Sequence, residues 1–89
     1  MNKGDLISKI AEDAGITKVQ ATAALNAFIG AVGHALREDD KVQLVGFGTF
    51  SVSAREARMG RNPKTGVSME LPAKRTAKFK AGKDLNDSL

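Results

Sequence analysis

The chain has no cysteine, no tryptophan and no tyrosine, and only one histidine and two prolines in 89 residues. Without cysteine there is no disulfide staple and no cysteine-based zinc site. His34 alone is not a ligand set, so neither a metal nor any other cofactor is expected. Catalysis has as little to work with: there is no cysteine nucleophile, no Gly-x-Ser-x-Gly turn and no recognisable frame of paired carboxylates. The chain reads as a non-enzyme, with His34 structural, on a helix surface or in a dimer seam. The aromatics are four phenylalanines, Phe28, Phe47, Phe50 and Phe79. Each fits a core position, and none fits an exposed platform for stacking single-stranded bases. No apolar run approaches the ~18 residues that span a bilayer, and Met1 to Asp5 lacks a signal-peptide core. A soluble, intracellular chain without a membrane partner is the expectation.

What is present is small and unevenly charged. A domain of this size buries only about 60 to 65% of its unfolded surface, and with no staple available a second copy is the cheapest way to complete a core. Residues 1–40 carry four cations against six acids, a net of −2, while residues 41–89 carry ten against four, a net of +6. A basic half of this kind is the electrostatic footprint of a nucleic-acid binder, although ribosomal and membrane-surface modules share it.

The acidic half predicts two helices. Asn2 caps the first, with Asp5 three residues on at its positive end. Leu6, Ile7, Ile10, Ala11 and Ala14 form one apolar stripe, and Gly15 ends the helix. Thr17 and Gln20 form a capping box for a second helix running to about Arg37. That helix is apolar on too many faces to be covered by its short neighbour alone, so it packs on its own subunit and on a partner's copy. Gly30 and Gly33 interrupt it at ~1 kcal/mol each relative to alanine. They read as tolerated substitutions ahead of a close helix approach. Glu38, Asp39 and Asp40 then place acids at the helix's negative end, which is unfavourable.

The basic half predicts strands. Val42 and Leu44 begin one, and Gly46-Phe47-Gly48 turns tightly into the next, with Phe47 plugging the core. Strand runs from Phe50 to Met59 and from Val67 to Lys80 flank Gly60-Arg61-Asn62-Pro63-Lys64-Thr65-Gly66, which is rich in turn residues. Ten residues at ~3.3 Å each would carry this hairpin tip roughly 30 Å from its base, and an isolated two-stranded ribbon is marginal in water. Pro72 marks an edge position or a break. Beyond it Lys74, Thr76, Lys78 and Lys80 share one face, alternating with Arg75, Ala77, Phe79 and Ala81. Lys83 to Leu89 fits a short last helix.

Competing readings fail on particular residues. The tip is not a phosphate-binding loop, because its lysine is misplaced and a strand follows where a helix must. Helix, Gly15, helix resembles a helix-turn-helix regulator, but the second helix offers only Lys18, Gln20, Thr22 and Asn26 among alanines, too little to read base edges. An RNA-associated interaction protein is the other alternative.

Three segments, Gly46-Phe47-Gly48-Thr49-Phe50, the tip at 60–66 and Phe79-Lys80-Ala81-Gly82-Lys83, closely resemble the bacterial histone-like HU and integration host factor family. The likeness runs over essentially the whole chain. It implies an α+β fold: a helical base, a three-stranded antiparallel sheet per subunit, an extended β-ribbon arm and an intertwined dimer. The expected organisation is one domain over 1–89, with a helical dimerisation part at 1–40, sheet and arm at 41–81, and a C-terminal helix at 82–89. The dimer core would comprise Phe28, Val32, Leu36, Leu44, Phe47, Phe50 and Phe79.

The same resemblance implies how double-stranded DNA would be held. Arg55, Arg58 and Arg61 would follow the minor groove, with Asn62 and Lys64 steadying the tip. Pro63 would wedge between base pairs and kink the duplex, a mechanism carried over from HU and integration host factor rather than read from these residues. Lys3, Lys80 and Lys83 would hold phosphates of the bent flanks, and Lys74, Arg75 and Lys78 would line arm and saddle. Minor-groove edges discriminate poorly, so sequence preference should be slight, and nicked, gapped or already bent DNA should bind tighter than intact duplex. The resemblance places the protein in the cytoplasm, associated with the nucleoid. A paralogous heterodimer and an RNA partner remain open.

HU is the nearer likeness within the family, because the chain stops at Leu89 without a longer tail. Departures from the family pattern also carry expectations. Thr76-Ala77 stands where many members have a second proline near the arm base. Asn86 replaces a common lysine, and Asp84 and Asp87 are acidic, which should weaken flank binding. Gly30 and Gly33 should loosen the dimer.

Overall fold

The computed structural model describes all residues, Met1–Leu89. The chain forms two compact units, residues 1–35 and 36–89.

The first unit is made by α1 (Lys3–Ala14) and most of α2 (Lys18–Arg37). Asn2 Oδ1 accepts from the Asp5 N–H at 2.9 Å, and Asp5 Oδ2 accepts from the Asn2 N–H at 3.2 Å. This reciprocal pair satisfies two orphan donors at the start of α1. Gly15 ends α1 with φ 67°, and the Ile16 N–H donates to Ala11 O at 3.0 Å, the left-handed stop that glycine adopts without a Cβ penalty. Thr17 and Gln20 repeat the reciprocal cap at the start of α2, at 3.1 and 3.0 Å. All three signals were legible as spacing alone.

Burial within one chain is thin. Only Ala11, Ala21 and Gly48 are buried, and no large side chain is fully enclosed. Phe28 is 40% exposed, Ile29 50%, Phe47 44% and Phe79 43%. Within one chain these phenylalanines are only partly covered, which leaves surface for the second copy that the expected dimer core calls for. The expectation that no stretch could cross a membrane is corrected, since α2 is long and apolar enough to do so by length and composition. Polar Gln20, Asn26 and His34 interrupt any unbroken apolar run, but alanine keeps the mean hydropathy high. The same composition suits a helix covered by protein on several sides.

The second unit contains β1 (Val42–Leu44), β2 (Gly48–Arg55), β3 (Arg58–Arg61), β4 (Ser68–Leu71), β5 (Lys74–Ala81) and α3 (Lys83–Asp87). An antiparallel sheet has the order β1-β2-β5, and β3 pairs with β4 as a separate two-stranded ribbon. At the turn between β1 and β2 the Phe47 N–H donates to Leu44 O at 2.9 Å and Gly46 has φ 84°. Phe79 lies between Phe47 and Phe50, with ring centroids 5.3 and 4.9 Å away. Gly82 N–H donates to Phe47 O at 2.8 Å, tying the start of α3 to that turn.

The two long strands expected from periodicity are each interrupted, at 56–57 and at 72–73. Pro72 accounts for the second gap because it has no N–H to give the ladder. The Arg55 guanidinium reaches across and donates from Nη2 to Pro72 O at 3.1 Å. Pairing resumes beyond the gap with its offset unchanged: the alignment that joins Gly48 to Ala81 and Arg55 to Lys74 also joins Arg58 to Leu71 and Arg61 to Ser68.

Candidate nucleic-acid interface

The tip is organised by one side chain. Asn62 Oδ1 accepts from the Lys64 N–H at 2.8 Å and from the Thr65 N–H at 3.4 Å, an asparagine turn that substitutes for backbone pairing. The Asn62 N–H donates to Val67 O at 2.9 Å, and the Gly66 N–H returns to Asn62 O at 2.7 Å. Gly66 supplies the φ of 71° that closes the loop. Asn62 is half-buried, whereas Pro63 and Lys64 are exposed at the apex. The geometry presents a rigid, donor-free ring and a cation at the outermost point of the ribbon.

Below the tip the pairing decides which cations stand together. In β3 and β4, Met59 with Glu70 and Arg61 with Ser68 share one face, while Arg58 with Leu71 and Gly60 with Met69 share the other. The arginines expected to act as one row are thus divided, Arg58 from Arg61. Leu71 lies so close over Gly60 that a Cβ there would sit 2.8 Å from Leu71 Cδ1. Glycine keeps this part of the ribbon thin.

On the three-stranded sheet, Thr49 pairs with Lys80, Ser51 with Lys78, Ser53 with Thr76 and Arg55 with Lys74. Strand periodicity puts all eight on one face. A cavity of about 300 Å³ on it is lined by Ser53, Arg55, Lys74, Thr76 and Lys78. Ser53 and Thr76 were not picked out as site residues. Their signal was available, since Thr76 falls at two-residue spacing between Lys74 and Lys78, and Ser53 two residues before Arg55. Arg58, Arg61, Lys64, Lys74, Lys78 and Lys80 form no salt bridge, leaving their charge to face solvent.

Arg75 stands apart. It pairs with Ala54 on the opposite face, and its Nη2 donates to Leu36 O at 3.0 Å, Arg37 O at 3.4 Å and Asp39 Oδ1 at 2.5 Å. Arg37 O is a carbonyl that the end of α2 leaves without a helical partner, whereas Leu36 O also accepts from the Asp39 N–H at 3.1 Å. Asp39, at φ 56°, meets a cation there, so the acids after α2 are less unfavourable than their position suggested. Arg75→Gln should lower stability by about 1 kcal/mol or less, since the pair is half-exposed. It should leave the salt dependence of DNA binding unchanged. Urea unfolding and a salt titration check both, and a reduced salt slope would return Arg75 to phosphate contact.

The remaining cations lie on other elements. Lys3 Nζ donates to Asn26 Oδ1 at 2.7 Å in the first unit. Lys83 is exposed and 3.9 Å from Asp87, a weak surface pair that leaves it available to other anions. The Asp84 carboxylate lies near Gly46, 3.7 Å from where a Cβ would be.

Known proteins share this layout. The family model described as bacterial DNA-binding protein matches residues 1–89. The DNA-binding protein HU-alpha of Vibrio cholerae is 56% identical over 89 residues, covering 100% of this chain and 99% of that one. The DNA-binding protein HU of Geobacillus stearothermophilus is 51% identical with the same coverage. Among solved structures, an Anabaena HU–DNA cocrystal structure superimposes with a TM-score of 0.86 at 49% identity, covering 99% of this chain and 96% of that one.

Proposed function

This chain belongs to the bacterial DNA-binding protein family that includes HU, and on that premise we propose that it bends and compacts duplex DNA as a paired architectural protein. It is not an enzyme. Two copies supply the cover that one chain lacks, over Phe28, Val32, Leu36, Leu44, Phe47, Phe50 and Phe79. Each copy sends one ribbon along the minor groove. Arg55, Arg58, Arg61 and Lys64 neutralise phosphates along the arm, and Lys74, Lys78 and Lys80 do so on the sheet face. Lys3 and Lys83 take the flanks. Arg75 holds the end of α2 and stays out of the phosphate set. The protein works on the nucleoid, in the cytoplasm.

One observation carries this reading: an exposed proline at the apex of an otherwise basic ribbon, braced by Asn62 from behind. Pro63 enters between base pairs, the behaviour for which HU and integration host factor are known. Unstacking costs a few kcal/mol per step, so a duplex already nicked or bent binds more tightly than an intact one. Pro63→Ala should therefore reduce the bend more than the affinity, and should narrow the preference for nicked over intact duplex. Energy transfer between end labels gives the bend, and titration of both duplexes gives the ratio. An unchanged bend with an unchanged ratio would remove the wedge.

A further inference from the structure

The cavity on the sheet face has a lining that suits one kind of ligand. Three of its five side chains are cations, Arg55, Lys74 and Lys78, and the other two are hydroxyls, Ser53 and Thr76. No acid and no apolar side chain borders it. At about 300 Å³ it stands at the lower limit of small-ligand clefts, roughly 300 to 1,000 Å³. Arg55 and Lys74 are directly opposed across β2 and β5. Like charges facing each other in this way destabilise a sheet. Arg55 turns its Nη2 to Pro72 O, while Lys74 and Lys78 flank Thr76 on the same face and form no salt bridge.

We infer that this cavity is a seat for a compact oligophosphate, and that such an anion competes with duplex for the sheet face. The chemistry requires several adjacent phosphoryl oxygens. The lysines and Arg55 supply charge, while Ser53 Oγ and Thr76 Oγ1, which lie between the Arg55–Lys74 pair and Lys78 on the same face, donate hydrogen bonds that fix its position. A carboxylate or chloride would satisfy the charge but not all the donors. The consequence is regulation: an oligophosphate at the seat releases the sheet face from DNA while the arm tip keeps its own contacts. The inference rests on the reading that this face meets phosphates, and the source of the phosphate, free or within a duplex, is what the experiment separates.

Inorganic tripolyphosphate is the probe, titrated into the full chain at ionic strength matched with chloride and followed through backbone amide shifts. The expected result is saturable shifts at residues 53, 55, 74, 76 and 78, together with displacement of a labelled duplex beyond what matched chloride achieves. Ser53→Ala/Thr76→Val keeps every charge and should weaken tripolyphosphate by roughly a hundredfold or more, as losing two hydrogen bonds to a charged group implies. Non-saturating shifts spread evenly over Lys9, Lys18 and Lys41 as well would overturn the seat. So would an unchanged affinity in the double variant. Duplex binding that perturbs these amides while tripolyphosphate does not would overturn the free-ligand claim alone and leave the DNA reading standing. Failure of the DNA reading shows separately, in the bend and salt measurements on duplex.

Discussion

Raising salt from about 50 to 200 mM should weaken duplex binding by about a thousandfold or more, the loss for a protein that neutralises six to ten phosphates. The estimate follows from which cations are free. Arg58, Arg61, Lys64, Lys74, Lys78 and Lys80 form no salt bridge, and the proposed pairing of two chains would double the set. Each phosphate neutralised releases condensed counterions and adds about 0.9 to the slope of log affinity against log salt. Lys74→Gln and Lys78→Gln, each removing one cation per chain and so two per pair, should each lower that slope by about two and weaken all sequences alike. Fluorescence anisotropy across a salt series measures it. A flat response would mean that the ribbon does not lie along a backbone at all.

Gly48→Ala should be the most damaging conservative substitution in the sheet. A Cβ at Gly48 would lie 2.5 Å from Phe79 Cζ and 2.6 Å from Lys80 O. The ring could turn aside, but the carbonyl belongs to the paired strand and moves only if β2 and β5 separate. Overpacking of this kind costs ~1–3 kcal/mol, against a total stability of about 5–13 kcal/mol for a chain of this length. The melting temperature should fall by roughly 5 to 20 °C. Gly30→Ala is the control. No atom lies within 4 Å of its added methyl, so it should gain ~0.5–1 kcal/mol from helix propensity. Thermal unfolding at fixed protein concentration reads both. A tolerated Gly48→Ala would show that β2 and β5 are not locked at that rung, whereas a loss at Gly30 would put a second chain's backbone against α2.

The caps of α1 and α2 were legible because they depend on neighbours three residues apart: Asn2 with Asp5, Thr17 with Gln20. The tip turn was legible for the same reason, its composition being local. What could not be read was non-local. Nothing around Arg75 announces that it will meet Leu36 and Asp39, 39 and 36 residues away, and its place in a run of cations suggested phosphate contact instead. The gap at 56–57 was invisible because Glu56 and Ala57 hold no breaker; it mirrors Pro72 across the ribbon. The phenylalanines could be read as core residues, but which chain would cover them could not. Apolar side chains announce that they will be covered, and the covering surface need not lie in the same chain.

The pairing offset shared by the strands on both sides of the gap has a mechanical consequence. The joint at 56–57 and 72–73 lies outside both ladders. A slip of one residue there would turn every outer side chain to the wrong side, and the common offset forbids that slip. The face that each outer side chain presents is thereby tied to the face set by the sheet.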